Sequence, residues 1–215
     1  MTGLLALPEQ GLRLLCLGAH ADDIEIGAGG TILRLVAEGR IASARWAVLS
    51  GDEARAAEAT AAADAFLSGV ADRVVTAGGL RDGRLPAQWD EVKERLEAIA
   101  AEGRPDLVLT PRSDDKHQDH RLLGELTWTA FRDSLILEYE IPKWDGDLVT
   151  PNVYVHLPAW AMTRKAELIV QSFPSQAGRD WFAPETFEAL ARIRGVESRA
   201  PERFAEGFHG RKLTL

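Results

Sequence analysis

The sequence predicts an α/β protein built as a three-layer, doubly wound and mostly parallel sheet of the Rossmann-like kind. Short apolar runs of strand length alternate with helical patterns at the spacing of parallel βαβ units. The apolar runs are nearly continuous rather than alternating, as in strands covered on both faces. At 215 residues, 46% of them hydrophobic, the chain has the apolar material for one core of that type.

Residues 12–18 (LRLLCLG) read as the first strand, and 27–39 (GAGGTILRLVAEG) as a helix with Ile32, Leu35 and Val36 at helical spacing and Gly39 as its stop. A strand at 44–50, an alanine-rich helix at 53–69 and a strand at 72–78 follow. A helix at 88–103, a fourth strand at 106–111 and a helix from about His117 to Arg132 complete the regular part. Beyond residue 135 the chain is less regular, with strand-like LILEYEIP and NVYVHLP and helical WAMTRKAELIVQS and APETFEALARIRG. No linker, repeat or low-complexity tract divides the chain. The expected organisation is one domain over 1–215, with a core at about 12–142 and a C-terminal elaboration at 143–215.

Composition excludes several functions. A formal net charge of -8 argues against binding nucleic acid through its phosphates, which calls for a basic face. No stretch approaches the ~20 apolar residues of a membrane span, and the start MTGLLALPEQGLR lacks a basic n-region and a cleavage site. The single cysteine, Cys16, permits no internal disulfide and reads as a small buried hydrophobe in a reducing compartment. The expected location is cytoplasmic, without a membrane or nucleic-acid partner.

In an open parallel sheet, ligands bind beyond the carboxyl ends of the strands, near the point where strand order reverses. Two segments there stand out: 18–25 (GAHADDIE) after the first strand and 111–120 (PRSDDKHQDH) after the fourth. Together they hold three of the five histidines and six carboxylates. A mixed nitrogen and oxygen donor set suits zinc or a similar transition metal better than calcium, and three protein ligands leave a position for water. Plainer readings stand beside this one. Asp114 and Asp115 could cap a helix, the His117/His120 pair could lie on its surface, and Gly27–Gly30 could form a dinucleotide turn. That last pattern departs from the usual spacing, and close packing of a helix on the sheet explains it better.

The two motifs resemble those of the LmbE-like, or PIG-L, de-N-acetylase family. The first family signature, A-H-P-D-D-[EI]-x-x-G-x-G-G, reads here as Ala19 to Gly30; the second, P-D-x-[VI]-x-T-P followed by H-x-D-H, reads as Pro105 to Pro111 and then His117 to His120. Weaker echoes are Leu49 to Asp52, the Arg55/Glu58 pair, Asp82-Gly83, and Tyr139-Glu140-x-Pro142. The resemblance implies that His20, Asp23 and His120 ligate Zn2+ or another divalent transition metal. It implies Asp22 as general base, His117 as oxyanion stabiliser and possible acid, Asp119 as the carboxylate orienting a histidine, and Arg55 as a substrate contact. Ala21 replaces the usual proline, and Asp115 stands where some relatives carry a tyrosine. The activity so implied is zinc-dependent hydrolysis of the acetamide of a small N-acetylated amino sugar or sugar conjugate, in a family that often forms homo-oligomers. The alternatives are a metal-dependent hydrolase of another small amide and a non-catalytic carbohydrate- or metal-binding protein; intact Asp22 and His117 argue against the last. Of the other candidates, Trp128, Trp144, Trp160 and Trp181 read mainly as packing residues, His156 as structural and His209 as a possible substrate contact.

Overall fold

The computed structural model describes residues 7–212. Its first half follows the expected alternation: β1 (Leu12–Gly18), α1 (Asp23–Ala37), β2 (Ile41–Ser50), α2 (Glu53–Phe66), β3 (Asp72–Leu80), α3 (Trp89–Ala101), β4 (Leu107–Pro111), α4 (Gln118–Ala130) and β5 (Leu135–Tyr139). The second half adds β6 (Val153–Leu157), α5 (Ala159–Ser172), α6 (Pro184–Glu197) and β7 (Phe204–Gly210). All seven strands join one sheet in the order β3-β2-β1-β4-β5-β7-β6. The first five run parallel, while β7 is antiparallel to both β5 and β6.

Strand register divides the apolar side chains between two cores, which explains why the strand sequences do not alternate in polarity. Leu12, Leu14 and Cys16 of β1 join Trp46, Leu109 and Tyr139 in the core under α1, α2, α5 and α6. Leu15 and Leu17 turn to the opposite face, with Val108 and Ile136, under α3 and α4. At Cys16 the strand pairs with Trp46 on one side and Leu109 on the other. The chain leaves β1 toward β2 and returns on the other side of β1 as β4, so the loops after β1 and β4 open a crevice at the carboxyl edge.

Three elements differ from the sequence-based reading. Helix α1 starts at Asp23, four residues before the predicted 27, because Asp23 and Glu25 occupy its first turn, where the helix dipole favours acids. The glycines therefore lie inside α1 and form no dinucleotide turn. A Cβ at Gly27 would come 2.1 Å from the Tyr139 ring, and one at Gly29 2.6 Å from Phe66, so the helix approaches its neighbours more closely than any side chain allows. Strand β2 begins at Ile41 rather than 44.

Strand β7 was not predicted at all. Its sequence, FAEGFHG, breaks both strand periodicity and apolarity. It is held by buried Glu206, which accepts hydrogen bonds from the Gly30 and Thr31 backbone N–H groups (2.8 and 2.7 Å) and from Lys165 Nζ (2.6 Å). Lys165 Nζ also donates to the Ile26 carbonyl at 2.7 Å, so one buried ion pair bonds to the α1 backbone and ties that helix to α5 and β7.

Overpacking a close contact of this kind costs about 1–3 kcal/mol. Gly27→Ala is expected to lower the thermal midpoint by about 2–12 °C, given 2–4 °C per kcal/mol for a chain of this size. Differential scanning calorimetry checks this, and an unchanged midpoint would mean that α1 is free to move away from Tyr139.

Candidate active site

The crevice is lined by the ends of β1 and β4 and by the first turns of α1 and α4. Asp22 is the N-cap of α1 at φ 114°, a conformation that residues other than glycine rarely adopt. Its side chain makes no capping bond, so the carboxylate faces the crevice instead of the helix. Asp23 begins the helix and accepts the His20 backbone N–H at 2.8 Å. His117 is the N-cap of α4, with Nδ1 accepting the Asp119 backbone N–H at 3.3 Å. Its ring proton therefore belongs on Nε2. Helix α4 lies against the end of β4 because residue 124 is glycine: a Cβ there would sit 2.7 Å from the Pro111 carbonyl.

This arrangement brings His20, Asp23 and His120 together. His20 Nδ1 lies 3.0 Å from His120 Nε2 and 3.4 Å from Asp23 Oδ2, and His120 Nε2 lies 3.2 Å from Asp23 Oδ1. The remaining ring nitrogens also meet carboxylates: His20 Nε2 is 3.2 Å from Asp119 Oδ2 and 3.3 Å from Asp82 Oδ1, and His120 Nδ1 is 3.3 Å from Asp115 Oδ2. Ligating histidines characteristically have such carboxylate partners. His117 stacks beside them, its ring 4.7 Å from that of His20 and 4.5 Å from that of His120. Two groups of donor atoms lie within 4.8 Å of one another, His20/His117/His120 and His20/Asp82/Asp119. His20, Asp23 and His120 form a further cluster beside these, with pairwise contacts of 3.0, 3.4 and 3.2 Å.

The electrostatics agree with a cation site. Burial opposes charge on His20, His120 and Asp23, yet their mutual attraction wins: both histidines are held above their usual pKa and Asp23 well below its own. The buried carboxylates draw positive charge toward these rings, and a divalent transition metal would supply such charge to the same atoms. Asp22 is different. Burial and then Asp23 push its carboxyl up to about 7, against the opposing pull of Arg55. Burial, reinforced by the neighbouring His120 and His20, lowers the pKa of His117. Asp115 does not face the His117 ring; it accepts the His117 backbone N–H at 2.7 Å and holds His120 and Lys143 (3.0 Å).

Arg55, on α2, reaches the site. It lies 3.3 Å from Asp22, donates to the Ala21 carbonyl, and is held by Glu58 (2.7 Å) and Ser175 Oγ (2.8 Å). The cleft above these residues has a volume of about 230 Å³. Its far walls come from the chain after β5 (Ile141 to Asp145) and from Gln176, Arg179 and Trp181. Among the tryptophans only Trp144 and Trp181 line it; neither His156, on β6, nor His209, on β7, does. Asp82, Glu58 and Asp115 were visible in the sequence only as faint echoes or as a departure from the motif. Gln176, Arg179 and Trp181 carried no local signal.

Fold and site together define a doubly wound α/β protein with a cluster of histidines and carboxylates at its switch point that could hold a metal ion. The chain belongs to the PIG-L family, described as GlcNAc-PI de-N-acetylase, whose sequence pattern matches residues 15–131, and it is by that descent an enzyme of the N-deacetylase class. It is 28% identical over 216 aligned positions to a 1D-myo-inositol 2-acetamido-2-deoxy-alpha-D-glucopyranoside deacetylase of Rhodococcus erythropolis, covering 82% of this chain and 70% of that one. Its fold is similar to that of N,N'-diacetylchitobiose deacetylase from Pyrococcus horikoshii (TM-score 0.70, 24% identity, 93% of this chain and 83% of the other). It is equally similar to GalB, a 4-carboxy-2-hydroxymuconate hydratase from Pseudomonas putida (TM-score 0.72, 19% identity, 95% and 98%).

Because the folded-state pKa of Asp22 lies above the unfolded value near ~4, its neutral form stabilises the fold below that pH, and this contribution is lost as pH rises through about 7. In metal-free protein, Asp22→Asn is expected to be more stable than the parent at pH 8 by about 2–4 kcal/mol, with no difference at pH 4. Urea denaturation at the two pH values measures this, and a gap independent of pH would place the strain elsewhere.

Proposed function

We propose that this protein is a zinc-dependent N-deacetylase that hydrolyses the acetamide of a small N-acetylated amino sugar or sugar conjugate. One observation carries the reading: a carboxylate placed to accept a proton, Asp22, stands beside the His20/Asp23/His120 donor set in the lining of a sugar-sized cleft. The family assignment and the named activities of the deacetylase relatives support it. Among the described residues no helix is long and apolar enough to cross a membrane. Together with the acidic net charge, this favours a small soluble substrate and a cytoplasmic setting over a lipid or nucleic acid.

His20, Asp23 and His120 would hold the zinc ion, which would supply Lewis acidity to lower the pKa of a water and polarise a carbonyl. Asp22 accepts a proton from the water whose oxygen forms the new bond to the acetyl carbon. Its carboxyl is buried beside Asp23 and lines the same cleft, within reach for that task. Neutral His117, with its proton on Nε2, donates a hydrogen bond to the oxygen on which negative charge develops. Asp119 steadies His20 through Oδ2 while its Oδ1 accepts the Leu85 N–H, so the carboxylate cannot rotate away. As the C–N bond breaks, the proton taken by Asp22 passes to the departing nitrogen, giving acetate and a free amine. Arg55 keeps Asp22 turned toward the reacting atoms and closes the side of the cleft.

The test is acetate release from a panel of N-acetylated sugars, run on metal-quantified protein with and without chelator. Asp22→Asn is expected to keep its zinc and lose about 10²–10⁴ in turnover, whereas Asp23→Asn loses the metal itself. Asp115→Asn is expected to weaken zinc binding by about 10–100-fold through His120. Equal metal loss in Asp22→Asn and Asp23→Asn would overturn the separate roles.

A further inference from the structure

The cleft holds about 230 Å³, less than the ~300–1,000 Å³ of pockets that enclose drug-sized ligands. One sugar ring fills it, so the rest of any larger substrate must emerge at the rim. Trp144 and Arg179 stand there. Trp144 is 67% exposed, yet its ring is fixed: the indole N–H donates to Asp180 at 2.9 Å, and the edge packs on Trp181 with centroids 6.3 Å apart at 87°. An indole held rigid with its face in water offers a platform for an apolar ring face.

The cleft has three cations, and two are already engaged. Arg55 is bound by Glu58, Asp22 and Ser175, and Lys143 by Asp115 and Asp147 (2.6 Å). Among the described residues the Arg179 guanidinium has no side-chain partner, and it directly precedes the Asp180 that orients Trp144. An unpaired planar guanidinium at a ligand-sized opening is suited to a carboxylate or phosphate. Asp145 also reaches the rim and opposes an anion there, so any preference comes from Arg179 against that opposition.

Resting on the N-deacetylase reading, we infer that the substrate is an anionic amino-sugar derivative, its ring on Trp144 and its phosphate or carboxylate on Arg179. Both walls are anchored to the reaction centre, which couples this contact to chemistry. The Trp144 loop is tied through Lys143 to Asp115 behind His120, and the 175–181 wall is tied through Ser175 to Arg55 beside Asp22.

Three probes separate the possibilities: N-acetylglucosamine (neutral), N-acetylglucosamine 1-phosphate and N-acetylmuramic acid (a carboxylate). With zinc-loaded protein, kcat/KM for at least one acidic probe is expected to exceed that for the neutral one by at least about tenfold, and to fall with added salt. In Arg179→Gln that ratio is expected to collapse toward one, in Arg179→Lys to survive in part, and in Asp145→Asn to rise. Trp144→Phe and Trp144→Ala should separate platform from space-filling, since phenylalanine keeps a ring face and alanine does not. A ratio near one in the parent protein, or one unchanged in Arg179→Gln, overturns the inference. Equilibrium binding of the same probes, followed by isothermal titration calorimetry, separates this failure from that of the deacetylase reading. Arg179-dependent binding of an acidic probe without acetate release from any probe would keep the anion site and remove the reaction, whereas acetate release without such dependence would do the reverse.

Discussion

The site is governed by the burial of negative charge. Asp22, Asp23, Asp115 and Asp119 are each at most 6% exposed, and they converge on one crevice at the ends of β1 and β4. Ions taken from water cost several kcal/mol each unless they are paired and hydrogen-bonded. Each of these carboxylates accordingly has a distinct compensation: Arg55 for Asp22, the two histidines for Asp23, Lys143 and His120 for Asp115, and a histidine with a backbone N–H for Asp119. The strained backbone at Asp22 belongs to the same arrangement, because it turns that carboxylate away from capping α1 and into the crevice. Strain of this kind persists only where the surroundings hold it.

Rigidity at the crevice comes from further out. Lys165 and Glu206 bond to the α1 backbone and clamp it to β7, while the glycines of α1 let Tyr139 and Phe66 approach. On the opposite side, Gly124 allows α4 to start against β4, so His117 and His120 are aimed by close backbone packing and not by long flexible loops. Pairwise contacts of 3.0 to 3.4 Å among His20, Asp23 and His120 depend on both helices being positioned in this way.

The likeness to both a deacetylase and a hydratase shows why the fold alone does not name the reaction. What directs the reading toward amide hydrolysis is the family match and the deacetylase relative, while within the site two adjacent carboxylates differ in environment. Asp23 is surrounded by histidines and kept ionised, whereas Asp22 is left basic enough to take a proton. Neighbouring carboxylates driven apart in pKa are a recurring way to divide metal binding from acid–base work.

By itself the sequence determined the alternating α/β fold, the two strand-end motifs, and the residues His20, Asp22, Asp23, His117, Asp119 and His120. Hydrophobic runs and helix spacing are local properties, and both motifs follow directly on their strands. Tertiary structure alone decided the rest. Strand β7 was hidden because Glu206 is tolerable in a strand only when Lys165 and the α1 backbone reach it. The placement of Asp115 on the His120 ring and on the His117 backbone depended on how the first turn of α4 is wound. The rim of Trp144, Arg179 and Trp181 joins segments more than thirty residues apart that lack any shared pattern. A contact between distant segments is set by how the sheet and helices pack, and no periodicity along the chain records it.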